Sequence, residues 1–253
     1  MGKPALSIII AVKNAGPQLG ATLSSIRAQH YPLEVIVIDG ASTDDTHAIL
    51  KNNQDIITHA ISEPDQGIAD AFNKGLRIAT GEYINFQGAG DTLYAPDCLS
   101  QLFEKVDSSY QLVCGKVVRV QEDGITPIWI APKMIKPFKR CSLLFKMSLP
   151  HQGLFTHRAF FKQHGEFDVN TQFAMDYELL LRAYHRFPKT LLKDVIVSRW
   201  RVGGVGSNRI KEIFDEYDRI KKQHHVASRK VLWAIDQFTR AKYQIKMRLR
   251  VPY

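Results

Sequence analysis

The chain has 253 residues, 45% of them hydrophobic and 23% charged, with a formal net charge of +9. That length suits one large α/β domain, or one domain with a helical appendage. The three cysteines, Cys98, Cys114 and Cys141, form neither a CxxC pair nor a framework, which argues against structural zinc and for a reducing compartment. No apolar run reaches the roughly 18–20 residues that span a bilayer. Leu6–Val12 is too short and too strand-like for a signal peptide. The expectation is a cytoplasmic protein whose only membrane contact is peripheral.

The positive charge is uneven. Residues 209–253 carry twelve Lys/Arg against five Asp/Glu, and residues between Asp123 and Glu166 carry seven Lys/Arg and no acid. Such basic surfaces suit phosphates, on a nucleic acid, an anionic lipid or a phosphorylated substrate.

In chain order, Leu6–Val12 (LSIIIAV) reads as a buried parallel strand. Asn14–Pro17 is a turn, and Leu19, Leu23 and Ile26 set a helical period over Leu19–His30. Leu33–Asp39 (LEVIVID) is a second buried strand, followed by Ser42–Asp45 as a helix cap. Ile56–Ile61 is a short strand, Ile68–Thr80 a helix capped by Gly81, and Glu82–Phe86 a fourth strand. This alternation predicts an α/β fold with a mostly parallel central sheet and right-handed crossovers. A helix over Ala95–Val106 and a more mixed sheet region from Gln111–Gln121 follow. Lys133–Pro150 has few structural signals and reads as a mobile loop. Beyond it come a strand edge at Pro150–Phe155, helices over Arg158–His164 and Phe173–Tyr184, a strand at Asp194–Arg199 and a glycine-rich turn at Gly203–Ser207. From Asn208 the chain reads as helical, with Val231, Ile235, Phe238, Ile245 and Leu249 roughly on one face beside Lys242, Lys246, Arg248 and Arg250.

Several residues carry chemical potential. Asp39 ends a buried strand, where open α/β sheets bind ligands. It suits a base or ribose contact, the alternative being a turn residue that caps the next helix. Asp91 follows Gly88-Ala89-Gly90 just past the fourth strand. As a hard oxygen donor it suits Mg²⁺ or Mn²⁺ shared with phosphates. Asp176 and Glu178 stand two apart and point in different directions on a helix. Asp176 suits a general base, or an acid that compensates the helix dipole. His151-Gln152 could bind phosphate or orient a hydroxyl, or be structural. Arg199, Trp200 and Arg201 offer cation and stacking surface. Neither GxGxxG nor GxxxxGK[ST] is present, so a dinucleotide fold and a P-loop are unsupported.

Taken together, SIIIAVKN, LEVIVIDGASTDD, EPDQGIADAFNKGL, the stretch Ala79–Tyr94, His151-Gln152, Gly165–Asp168, Phe173–Arg182 and Gly203-Gly204 with Ser207 resemble, in order and spacing, a family 2 glycosyltransferase of the bacterial surface-polysaccharide type. The resemblance covers roughly residues 4–208. It implies a GT-A fold and an inverting enzyme that uses a nucleoside-diphosphate sugar, most often UDP-linked. It implies a donor site drawing on Val12, Asn14, Asp39, Asp65, Lys74, Gly90, His151 and Arg201, with Mn²⁺ or Mg²⁺ on Asp91 and Asp176 as catalytic base. Gly90 stands where the family usually has a second acid. The implied organisation is a nucleotide-sugar half (1–94), an acceptor half (95–208) and a basic helical extension (209–253). The implied acceptor is a glycan or a polyprenyl-diphosphate-linked saccharide. The extension could then lie on an anionic membrane surface, inside the cell, or form a homodimer.

Other readings are a nucleotidyltransferase on a similar platform, a nucleic-acid-binding protein using the basic tail, and a protein that kept the fold without the activity. The first lacks a clear phosphate-gripping loop. The second lacks any recognised binding motif, so no nucleic acid is expected. The third rests on Gly90 alone.

Overall fold

The computed structural model describes residues 5–133, 135–204 and 209–248. Val205–Ser207 of the glycine-rich turn, and Leu249 and Arg250 of the tail, lie outside the described residues.

The first half is a parallel platform. Strand β1 (Leu6–Val12) pairs with β2 (Leu33–Asp39), with Leu6 opposite Leu33 and Val12 opposite Asp39. On its other side β1 pairs with β4 (Tyr83–Gly88), while β3 (His59–Ser62) pairs with β2. All three pairings are parallel. The crossovers are α1 (Gly16–Arg27), α2 (Thr46–Asn52) and α3 (Ile68–Ile78). Because side chains alternate along a strand, β1 feeds two layers. Ile9 packs with Phe72 of α3, and Ile8 and Ile10 with Leu19, Leu23 and Ile26 of α1.

The second half is mixed. It comprises β5 (Thr92–Leu93), α4 (Cys98–Leu102), β6 (Leu112–Val120), β7 (Pro127–Ala131), β8 (Leu154–His157), α5 (Arg158–His164), α6 (Met175–Arg182) and β9 (Thr190–Arg201). The sheet order is β3-β2-β1-β4-β8-β6-β9-β5, with β7 on β6. Strand β8 runs antiparallel to both β4 and β6, and β6 runs parallel to β9. Helices α7 (Ile210–Gln223) and α8 (Arg229–Arg248) close the chain. Ile220, Val226 and Leu232 lie in the same core as Phe72, Phe86 and Tyr177. Among the described residues no helix is long and apolar enough to cross a membrane.

Four expectations need correction. Helix α3 stops at Ile78, with Ala79 extended, so Gly81 is not its cap. Gly81 instead lets the chain press on β1, where an added Cβ would lie 2.4 Å from Ser7 Oγ. Helix α4 is much shorter than Ala95–Val106. The stretch expected as a mobile loop contains a 3₁₀ turn over Arg140–Leu144, and Leu143 and Leu149 are fully buried. Arg140 Nη1 also donates to the carbonyls of Tyr184 and His185, at 2.9 and 2.8 Å. Finally, β5 and β7 were not foreseen. One is two residues long, and the other is a half-buried strand paired with β6.

Candidate active site

The carboxyl ends of β1 and β2 are tied into one turn system. Asn14 adopts φ 49°, a left-handed conformation that asparagine tolerates. Its N–H donates to Ser42 Oγ at 2.7 Å, and its side-chain oxygen accepts from the Thr43 N–H at 2.8 Å. Asp39 is fully buried and accepts from the Ser42 N–H and hydroxyl and from Ser62 Oγ. It thus does the turn-holding that was one of its two readings, at the end of a strand where Val12 is its register partner. Asp65 lies close by: a Cβ on Gly40 would sit 2.3 Å from Asp65 Oδ2. A larger residue there would displace the Asp65 carboxylate. Lys74 Nζ donates to the Pro64 carbonyl at 2.7 Å and pairs with Glu63 at 2.9 Å and Asp70 at 3.6 Å. The hydrogen bond that Lys74 donates to Glu63 raises the Lys74 pKa. Lys74 therefore clamps the loop that carries Asp65.

Next along the sheet, Asp91 is 6% exposed. Its Oδ2 accepts from the Gly88 N–H at 3.1 Å and Gln152 Nε2 at 3.3 Å, and its Oδ1 from the Arg201 N–H at 3.4 Å. All three donors are neutral groups, and burial pushes the carboxyl up to about 7 against the pull of these bonds. A buried carboxylate without a cationic partner among the described residues fits a divalent ion, which would favour its charged form. Among the described residues no cluster of three or more acidic, histidine or cysteine side chains could hold an ion unaided. Gly90 adopts φ 101°, and its N–H donates to Thr22 Oγ1 at 2.9 Å. An added Cβ would meet Arg201 Cδ at 3.5 Å, which puts Arg201 beside the Gly90 turn.

A 3₁₀ turn over His151–Gly153 links Asp91 to Asp176. The Gln152 carbonyl accepts from Asn85 Nδ2 at 3.2 Å and Gln87 Nε2 at 3.0 Å, which fixes the turn against β4. Gln152 then faces Asp91, while His151 Nδ1 lies 3.8 Å from Asp176 Oδ2. The His151 ring stacks on Phe86 at 5.9 Å, and its Nε2 is buried without a partner. Burial lowers the His151 pKa, and Asp176 opposes that shift.

Asp176 sits in the first turn of α6 with its side chain 21% exposed. Glu178 points the other way, as the spacing requires. It is buried, held by Arg182 Nε at 2.8 Å and His224 Nε2 at 2.9 Å. Trp200 belongs to packing, under the Arg119 guanidinium at 4.8 Å, and Arg199 lies over Tyr94 at 4.3 Å.

The structure thus brings together two groups, Val12/Asn14/Asp39/Asp65 and Gly90/Asp91/Arg201 with His151 and Asp176. Three supporting residues escaped sequence reasoning. Thr22 holds Gly90, and Gln87 holds the His151–Gln152 turn. Glu216 on α7 caps α6. Gln87, a polar residue at the end of an apolar strand, was the one readable signal.

Residues 7–175 match the family model described as Glycosyl transferase family 2. The chain is 31% identical over 220 residues to a PGL/p-HBAD biosynthesis glycosyltransferase of Mycobacterium tuberculosis, covering 83% of this chain and 82% of that one. In fold it is similar to Staphylococcus aureus TarS residues 1–349 in complex with UDP-GlcNAc, with a TM-score of 0.71, 17% identity, and coverage of 92% and 71%. It is also similar to the mannosyltransferase PcManGT from Pyrobaculum calidifontis in complex with GDP-Man and Mn²⁺, with a TM-score of 0.65, 19% identity, and coverage of 90% and 66%. The chain belongs to glycosyl transferase family 2, with the GT-A architecture, and is a glycosyltransferase.

Proposed function

We propose that the enzyme transfers a sugar, with inversion, from a nucleoside-diphosphate sugar to a hydroxyl of a glycan or lipid-linked saccharide in cell-surface polysaccharide synthesis. The observation that carries this reading is the chain Asp91–Gln152–His151–Asp176. It sets one carboxylate suited to a cation and a second, partly exposed carboxylate at the same site. The relatives in complex with UDP-GlcNAc and with GDP-Man support a nucleotide-sugar donor, and UDP is the preferred nucleotide in this reading.

In this scheme the turns around Asn14, Asp39 and Asp65 receive the nucleoside, with Asp39 and Lys74 holding those turns in place. Arg201 and the Gly90 backbone lie beside the diphosphate. Asp91 would hold Mn²⁺ or Mg²⁺, and that ion, when bound, supplies charge neutralisation to the diphosphate. Asp176 accepts the proton of the acceptor hydroxyl. The hydroxyl oxygen forms its bond to the anomeric carbon as the bond to the diphosphate oxygen breaks, and the nucleoside diphosphate leaves. One displacement needs one base and inverts the configuration. A retaining double displacement would need two carboxyl groups about 5 Å apart. His151, beneath Asp176 and walled by aromatic rings, orients that base. Residues 1–94 form the donor half and 95–208 the acceptor half, with 209–253 as a basic extension.

The test is a panel of UDP-, GDP- and dTDP-sugars, with and without Mn²⁺, read by binding and by NMR of the product anomer. One donor class should bind and give an inverted product. Asp176→Asn should keep donor binding and lose turnover by a factor of about 10²–10⁴. Retention of configuration, or full activity in Asp176→Asn, would overturn the scheme.

A further inference from the structure

Helix α8 buries one side and leaves an apolar stripe on another. Leu232 and Ile235 are 1% and 8% exposed, whereas Val231, Phe238 and Ile245, spaced seven apart, are 47%, 57% and 57% exposed. Ala234 and Ala241 lie between them, also exposed, so the stripe is continuous. A second element adds to it. Phe145, 46% exposed, follows the 3₁₀ turn at Arg140–Leu144 and meets the Phe238 ring edge-on at 6.3 Å.

Positive charge gathers around the same stripe. Helix α8 has six Lys/Arg and one acid, Asp236, which is engaged by Arg240 Nε at 2.8 Å. Lys146, next to Phe145, is held below the ordinary lysine range by burial and then by Lys242 and Lys246. Three ammonium groups from two elements are thus drawn together beside exposed aromatic and aliphatic side chains. Like charges repel, so an anionic surface favours this arrangement.

We propose that Phe145, Phe238, Ile245, Lys146, Lys242 and Lys246 form a docking face for an anionic lipid bilayer. Apolar side chains on this face enter the headgroup and acyl boundary, and the ammonium groups pair with lipid phosphates. A second copy of the chain suits the face poorly, because a symmetric contact would set lysines against lysines. The inference is independent of the donor chemistry, so either can fail alone.

The experiment is co-sedimentation of the full chain with vesicles of phosphatidylglycerol and phosphatidylcholine, against phosphatidylcholine alone. Binding should require the anionic lipid and weaken as salt rises. The charge pair Lys242→Glu with Lys246→Glu should reduce binding by more than about twentyfold, at roughly fivefold per charge. Phe238→Ser and, from the other element, Phe145→Ser should each weaken it, with melting curves unchanged. Equal binding to both vesicle types, no binding by the wild type, or variants that bind like wild type would overturn the proposal. So would a lipid-free dimer in sedimentation velocity that Phe238→Ser dissociates.

Discussion

Glu216 Oε2, on α7, accepts the backbone N–H of Ala174 at 2.8 Å, two residues before Asp176. The same carboxylate takes the N–H of Phe173 at 2.8 Å and of Gln172 at 2.9 Å. A helix leaves its first N–H groups without internal partners. Here α6 has no cap from its own N-cap residue Ala174, and a distant helix supplies one. The negative charge also complements the positive end of the helix dipole.

Glu216→Ala should therefore cost about 1–3 kcal/mol in urea unfolding. It should lower kcat more than it changes donor KM, because it loosens Asp176, the proposed base, and leaves the turns around Asn14, Asp39 and Asp65 untouched. Glu216→Gln, which keeps an acceptor oxygen, should fall between. An Ala variant with wild-type kcat would remove Glu216 from any positioning role.

Asp91 supplies a pH signature. Its carboxyl is pushed up to about 7, and binding a divalent ion must expel that proton. Mn²⁺ affinity, measured by calorimetry with the nucleoside diphosphate present, should rise between pH 6 and 8. Asp91→Asn should lose this dependence and more than about tenfold in affinity.

Gly90 occupies the place of an acid, yet restoring one should be harmful. At φ 101° a side chain is strained even where there is room for it. Gly90→Asp is expected to lose about 1–3 kcal/mol of stability, without gaining metal affinity. A variant as stable as wild type, with tighter Mn²⁺ binding, would show that the turn adapts.

His151 predicts acid sensitivity. Its folded pKa is lowered below 6.5 by burial, so the fold holds the neutral ring. The stability this gives is full above 6.5 and is lost as pH falls through the lowered folded value. Melting temperature should therefore drop from pH 7 to pH 5. His151→Phe, which keeps the stack on Phe86 and removes the buried, unpartnered Nε2, should drop less. An equal slope in both proteins would assign the acid sensitivity elsewhere.

The parallel platform was legible because β1 and β2 are unbroken apolar runs, and their ends carry Asp39 at the expected place. Asp91 and Asp176 could be placed from the sequence, since each stands at a predicted element end. What stayed hidden was long-range. Lys74 was expected only as part of the donor site, and its engagement by Glu63 and Asp70 depends on how a loop folds back on α3. Glu216 is one of several acids on an amphipathic helix, and nothing local marks it as the cap of α6. The stretch 133–150 is rich in lysine and proline. The burial of Leu143 and Leu149 depends on α6, whose Tyr177 hydroxyl donates to the Leu143 carbonyl.

The cap on α6 also fixes an order of events during synthesis. Ala174 leaves the ribosome before Glu216, which follows 42 positions later. Ile220 and Leu232, which fill the same core, come later still. The sheet and the turns around Asn14 and Asp39 can assemble while the chain is growing, but the helix that carries Asp176 is settled last. A chain stopped near residue 208 would carry every candidate catalytic residue and still lack a finished active site.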